Sequence, residues 1–281
     1  MTGTTHGILI GYDGSPSSER ALRWSLREAR WRDTVLTVCY AWGPGYAQEP
    51  PGGDGTPDSS QLTGELVVAP ALRFARSVMD PQAVRPLLAA GTAAQVLCDH
   101  SRDACMVVVG SRGRGGLAGL LLGSVSQQVS AHARGRVVVV RGHWHEAAEY
   151  VPGPVVVGAD GSAASRAALA FAAEEATLRA VPLLAVSALA DTAGGLGGAA
   201  RMEETASQDI ARQEKEHPEL TIQRQVTPGQ PRTALLAAAG GAQLLVVGSR
   251  GRGGIMGMPL GSVSQAMLHH CPCPVAVVHP Y

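Results

Sequence analysis

Glycines and a Gly-Ser pair recur at one spacing in this chain, and the chemistry they suit is the binding of an anion. Gly110, Ser111, Arg112 and Gly113 are followed by nine residues, Arg114, Gly115 and Gly116 among them, and then by Gly123, Ser124 and Val125. The pattern returns as Gly248, Ser249, Arg250 and Gly251, nine residues that include Arg252, Gly253 and Gly254, then Gly261, Ser262 and Val263. Glycines this dense let backbone N–H groups turn toward one point without interference from Cβ. A Gly-Ser at a helix start adds unpaired N–H donors and the positive end of the helix dipole. The combination suits phosphate. Arg112, Arg114, Arg250 and Arg252 either clamp phosphates or stand as solvated loop residues.

An acidic turn accompanies each loop. Ile8, Leu9 and Ile10 lead into Gly11-Tyr12-Asp13-Gly14-Ser15, and Val155 to Val157 lead into Gly158-Ala159-Asp160-Gly161-Ser162. The offset between these turns is 147 residues, against 138 between Gly113 and Gly251. The surplus in the first half falls in the Pro/Gly-rich stretch from Gly43 to Ser60, against the shorter Asp191 to Gly198. An offset this large and regular marks a duplicated domain rather than a small-repeat solenoid.

The elements that must position these residues alternate between strand and helix. Ser15 is the expected N-cap of a first helix with Pro16 at its first position, and Ala21, Leu22, Ser25, Leu26 and Ala29 mark its apolar face. Second strands are expected at Thr34 to Ala41 and Val181 to Ala188, and second helices at Gln61 to Met79 and Ala200 to His217. Third strands are Arg85 to Ala90 and Thr221 to Val226, and third helices Ala93 to Arg102 and Arg232 to Ala239. Fourth strands, Ala104 to Gly110 and Gln243 to Gly248, precede the loops. Helices from Ser124 to Ala133 and Ser262 to His270 follow, then last strands at Val137 to Val140 and Val275 to Val278. Their unbroken apolar runs suit buried parallel strands. Five βα units per half imply a doubly wound α/β sheet covered on both faces. The domains are placed at 1–142 and 153–281, with 143–152 as linker.

In an open α/β sheet, ligands sit beyond the carboxyl ends of the strands, where the winding reverses. Asp13, Ala41 and Gly110 reach one such edge, and Asp160, Ala188 and Gly248 an equivalent one. The small side chain of Ala41 leaves a slot for a flat base. Four or five charge-assisted bonds at roughly 1.5–3 kcal/mol each bring micromolar binding, about −8 kcal/mol, within reach after association costs. An aspartate beside a polyphosphate is repulsive unless it bonds ribose hydroxyls or shares a divalent cation, and magnesium bridging is the simpler expectation. Neither loop is a Walker A sequence, and Lys215 is the only lysine. Fast phosphoryl transfer lacks its usual parts, so binding is favoured over turnover.

Composition narrows the partners. In 281 residues, 45% are hydrophobic and 16% charged, which belongs to a compact globular protein. The formal net charge is zero, giving no reason to expect nucleic acid or a membrane surface. Cys39, Cys98, Cys105, Cys271 and Cys273 sit mostly in apolar runs, which favours reduced thiols, and no leader or membrane-length run stands out; a cytoplasmic location is expected. His269, His270, Cys271, Cys273 and His279, like His143, His145 and Glu146, invite a metal reading. The Cys-Pro-Cys spacing is not that of a zinc knuckle and only one half has it, so no metal ligand is assigned. Trp24, Trp31 and Trp42 read as packing residues. No Ser-His-Asp or nucleophile-elbow pattern supports hydrolase chemistry.

These motifs resemble those of tandem universal stress proteins of the ATP-binding type. The family's signature of glycine, two residues, glycine, nine residues and glycine-Ser/Thr is met at Gly110, Gly113, Gly123-Ser124 and at Gly248, Gly251, Gly261-Ser262. Its opening Val-Gly-x-Asp-Gly-Ser is matched by Ile10 to Ser15 and Val157 to Ser162, with Tyr12 and Ala159 in place of the usual small β-branched residue. The resemblance implies a five-stranded Rossmann-like sheet in each half, adenine near Gly11, Asp13 and Ala41, and phosphates on Gly113, Gly123, Ser124 and Val125, with the same pattern in the second half. It implies ATP at two sites, with magnesium, in a stress-response regulator that hydrolyses slowly or not at all and acts on an unidentified protein partner. It further implies pairing of the two halves through their last strands, with a homodimer as a further possibility, and a variable Gly43 to Ser60 loop over the first site. Two alternatives stay open: an adenylating or ATP-pyrophosphatase-like enzyme, whose Ser-Gly-Gly-x-Asp-Ser loop Gly11 to Ser15 only partly resembles, and a scaffold with vestigial sites.

Overall fold

The computed structural model describes residues 7–43, 57–113, 121–141, 153–189, 195–252 and 257–280, with backbone alone at 57–60 and 195–199. The chain divides into two compact units, Met1–Val140 and Arg141–Tyr281.

In the first unit the elements run β1 (Gly7–Gly11), α1 (Pro16–Trp31), β2 (Leu36–Trp42), α2 (Pro57–Val78), β3 (Val84–Ala90), α3 (Ala93–His100), β4 (Ala104–Gly110), α4 (Ser124–His132) and β5 (Arg136–Val140). The strands lie in the order β3-β2-β1-β4-β5, each pair parallel. The second unit repeats this with β6 (Val155–Gly158), α5 (Ala163–Arg179), β7 (Leu183–Leu189), α6 (Gly195–Glu216), β8 (Ile222–Pro228), α7 (Pro231–Ala238), β9 (Leu244–Gly248), α8 (Ser262–His270) and β10 (Val275–Val278). Its order is β8-β7-β6-β9-β10, again parallel. Each unit is therefore a Rossmann-like α/β domain of five parallel strands. The winding reverses between β1 and β4 in one and between β6 and β9 in the other.

Burial explains why the strands read as apolar runs. Ile8, Leu9 and Ile10 are fully buried, as are Val137 to Val140 and Val275 to Val277, because helices cover both sheet faces. Right-handed crossovers place α1 and α2 on one face and α3 and α4 on the other, and α3 packs on α4 as α1 touches α2. The outer strands β3 and β8 carry exposed residues, and the polar run Gln223, Arg224 and Gln225 suits an edge.

Local signals set the helix starts. Ser15 accepts the Ser18 N–H with Pro16 behind it, Ser162 accepts from Ser165, and Thr92 accepts from Gln95. Ala21, Leu22, Ser25, Leu26 and Ala29 form the buried face of α1 as expected, joined by Trp24 and Glu28. Trp31 departs from expectation. It is 37% exposed, with the Arg27 guanidinium 4.9 Å over its ring. The stretches expected as loops are shorter than their composition suggests, because α2 already begins at Pro57 and α6 at Gly195. The remainder of both stretches, the linker, and His143, His145 and Glu146 lie outside the described residues. Among the described residues no helix is long and apolar enough to cross a membrane.

Candidate functional site

Parallel pairing brings the candidate residues of each half to one sheet edge. Gly11 pairs with Cys39 of β2 and Val109 of β4, so the ends of β1 and β4 lie side by side. Ala41 stands two residues further along β2, opposite Ala89, and Gly110 closes β4. Gly158 pairs with Val186, Ala188 with Thr227, and Gly248 closes β9. Both edges lie at a winding reversal, where an open α/β sheet leaves a crevice.

The loop after β4 returns to its own beginning. Gly123 donates its N–H to the Ser111 carbonyl at 2.8 Å, and Gly261 does the same to Ser249 at 2.8 Å. Ser126 then donates its hydroxyl to the Gly110 carbonyl at 2.6 Å, and Ser264 to that of Gly248 at 2.6 Å. These bonds seat the first turns of α4 and α8 directly over the strand ends. Gly123 and Gly261 are the N-caps and supply no side-chain cap, unlike the serines and threonine that start α1, α3 and α5. Ser124 and Ser262 are exposed, and Val125 and Val263 half-buried. An uncapped N-terminus offers its first amides and its dipole to an anion.

The glycines of the motif do a different job from the one expected. None of Gly110, Gly113, Gly123, Gly248, Gly251 or Gly261 has a positive φ, so none of these six makes a bend reserved to glycine, although Gly257 within the second loop does (φ 96°). Four of them, Gly110, Gly113, Gly248 and Gly251, are places of close approach. A Cβ on Gly110 would meet Ser17 at 2.7 Å and one on Gly248 would meet the Ala164 backbone at 2.7 Å, so these glycines let α1 and α5 press on the strand ends. A Cβ on Gly113 would stand 2.6 Å from Asp13 Oδ2, and one on Gly251 2.5 Å from Asp160 Oδ2. Left-handed backbone occurs instead at Gly14 (φ 74°) and Gly161 (φ 69°), directly after the aspartates.

The aspartates hold backbone. Asp13 Oδ1 accepts the Ser15 N–H at 3.0 Å and Asp160 Oδ1 that of Ser162 at 2.9 Å, which are Asx turns. Asp160 Oδ2 also accepts the Arg252 N–H at 3.1 Å. The acidic turn and the glycine loop, 92 residues apart, are thus joined by one carboxylate. Ser15, as expected, and Ser162 cap α1 and α5. Ser15 also lies 3.4 Å from the Arg112 carbonyl, and Ser162 3.5 Å from that of Arg250. Ser111 and Ser249 are buried, and Ser111 sits 3.4 Å from Ser17, which also receives the Arg112 N–H at 3.3 Å. Arg112, Arg250 and Arg252 are exposed. Arg114, Gly115, Gly116, Gly253 and Gly254 lie outside the described residues.

Duplicated loop, uncapped helix and aspartate together match one known pattern. The profile of the Universal stress protein family matches residues 5–141 and again 153–279. The chain belongs to the universal stress protein family. A universal stress protein of Mycolicibacterium smegmatis is 36% identical over 296 residues, covering 100% of this chain and 99% of its own. Universal stress protein Rv2005c of Mycobacterium tuberculosis is 35% identical over 286 residues, 97% of this chain and 96% of its own. The crystal structure of a universal stress protein from Archaeoglobus fulgidus superposes with a TM-score of 0.75 at 20% identity, over 98% of each chain. It shares the fold.

Sequence reasoning missed Ser126 and Ser264 as the ties between helix and strand end in this universal stress protein. Their signal was present: Gly-Ser-Val-Ser-Gln occurs in both halves, and the second serine falls where an inward hydroxyl can reach the strand's last carbonyl. Ser17 was also missed, and no signal marked it, since the second half has Ala164 in its place.

Proposed function

We propose that each half binds one adenine nucleotide, ATP foremost, and that the chain is a regulator read through nucleotide occupancy, with slow or no hydrolysis. The observation that carries this reading is the pair of uncapped helix starts, α4 and α8, each clamped over a strand end at a winding reversal. Amides of Ser124, Val125, Ser262 and Val263 would hold phosphates, and the bends after β1 and β6 with Ala41 and Ala188 would flank the base.

The aspartates enter this reading in a new role. With one or both oxygens given to loop amides, Asp13 and Asp160 shape the cradle, and a magnesium ion would be carried chiefly by the phosphates. Arg112, Arg250 and Arg252 supply positive charge at the loop surface, where each adds little unless a phosphate desolvates it.

Small molecules released on denaturing the purified chain, analysed by mass spectrometry, test the proposal. ATP or ADP approaching two per chain, with slow release of phosphate on incubation, is the expected result. Rapid turnover with pyrophosphate as product points to an adenylating enzyme, and absence of both bound nucleotide and binding to a vestigial scaffold.

A further inference from the structure

The connection between α8 and β10 holds two thiols that the fold does not need. Cys271 follows the last residue of α8, Cys273 precedes Pro274 and β10, and their sulfurs lie 3.4 Å apart. Both are buried, at 2% and 7% exposure. The corresponding connection in the first half is built from Ala133 and Gly135, and carries α4 into β5 without sulfur. Close packing therefore does not account for a thiol at both positions.

We infer that Cys271 and Cys273 are an oxidative modification site, a dithiol that hydrogen peroxide or a small organic hydroperoxide converts to an intramolecular disulfide. The sulfurs must approach by about 1.4 Å to reach a bond of about 2.05 Å, a shift that rotation of the two side chains, separated by Pro272 alone, can supply. The two thiols are not equivalent. The hydrogen bond from Cys273 draws the Cys271 thiol down, helped by the Arg141 guanidinium and opposed by burial. The same bond and burial push Cys273 up. Arg141 is fixed at this end of α8 by the carbonyls of Met267, Leu268 and His269, the last at 2.7 Å. Its positive charge offsets the negative end of the helix dipole beside Cys271.

The chemistry balances with the peroxide as sole oxidant. The Cys271 thiolate attacks one peroxide oxygen, the O–O bond breaks, and the departing hydroxide takes a proton to leave as water. Cys271 is then a sulfenic acid. Cys273 loses its proton and attacks the Cys271 sulfur, forming the S–S bond and releasing the sulfenic oxygen as a second water. Two thiols are oxidised by two electrons, and one hydrogen peroxide is reduced to two waters, or one organic hydroperoxide to an alcohol and a water. Proximity of Cys273 favours this second step over further oxidation of Cys271. Burial excludes bulky alkylating reagents from the folded chain and leaves the pair to small oxidants.

The test uses the full chain treated with hydrogen peroxide, quenched, unfolded, alkylated and mapped by mass spectrometry. All five cysteines are thiols at the start. The expected product has lost two hydrogens on the peptide containing Cys271 and Cys273, regains them with dithiothreitol, and leaves Cys39, Cys98 and Cys105 alkylated. Cys273→Ser is expected instead to trap Cys271 as a sulfenic acid reactive toward dimedone. Full alkylation of both cysteines in the oxidised wild-type chain overturns the inference, as does first oxidation at Cys98 or Cys105. Both overturning results are read on the wild-type chain, so a variant that fails to fold leaves the inference testable.

Discussion

Asp160 Oδ2 lies 3.1 Å from the Arg252 nitrogen and 2.5 Å from where a Cβ on Gly251 would stand. The carboxylate therefore ties the start of the glycine loop to the acidic turn. In the first half a Cβ on Gly113 would come equally close to Asp13 Oδ2, at 2.6 Å.

Alanine at Gly251 or Gly113 is expected to displace that carboxylate. The strain and loss of one charge-assisted bond should cost about 1–2 kcal/mol of stability, and nucleotide affinity at that half should fall about tenfold. Thermal unfolding and isothermal titration check both numbers. Unchanged affinity at the altered half would show that the contact does not shape the cradle.

Asp160→Ala removes the acceptor for two backbone amides at once, those of Ser162 and Arg252. A loss of about 2–3 kcal/mol is expected. Asp160→Asn keeps one acceptor oxygen and should lose about half as much. Chemical denaturation reads both, and equal stability of the two variants would contradict the assignment.

Ser264→Ala and Ser126→Ala take away the hydroxyl that ties a helix start to a strand end. Each leaves the Gly248 or Gly110 carbonyl without its side-chain donor, at about 1–2 kcal/mol. Nucleotide binding at that half should weaken with it, since the first turn of α8 or α4 is no longer fixed. Ser→Thr at either position retains the hydroxyl and is the control for bond against bulk.

Burial pushes the Cys39 thiol from 9.0 up to about 12. The unfolded chain ionises this thiol first, so its contribution to stability is complete below pH 9 and is lost as the pH rises toward 12. The slope reaches about 1.4 kcal/mol per pH unit. Cys39→Ala should flatten the alkaline limb of a stability–pH curve by that amount, and a curve parallel to wild type would contradict the burial argument.

The architecture was legible because each half carries its periodicities in full. Ile8 to Ile10 and Val137 to Val140 can only be buried strands, and Ser15-Pro16 marks a helix start by side-chain chemistry alone. Boundaries moved by two residues at Leu36, Leu183 and Pro228, where sheet pairing extends or trims the apolar run. The site was legible as a set of residues and less so as a set of roles. Spacing showed that glycines cluster, yet a missing Cβ serves a tight bend or a close neighbour equally well, and only the fold shows Asp13 or Ser17 as the neighbour. The aspartates were read against a polyphosphate; in the fold each accepts the amide two residues further on, and Asp160 accepts that of Arg252, distant in sequence, as well. Trp31 was misjudged because helical spacing alone does not reveal where the covering element ends.

The central claim is that uncapped helix starts receive the nucleotide, and Gly261→Asp tests it most directly. Gly261 has extended backbone (φ −72°, ψ 155°) and its nearest neighbours to a new Cβ are 3.4 Å away, so an aspartate fits there as an N-cap. Its carboxylate would take the amides at the start of α8 and change stability by only a few tenths of a kcal/mol. Native mass spectrometry with ATP should count two nucleotides on the wild-type chain, one on Gly261→Asp, and none when Gly123→Asp is added. Two nucleotides still bound to the double variant, or none on the wild type, would contradict the account.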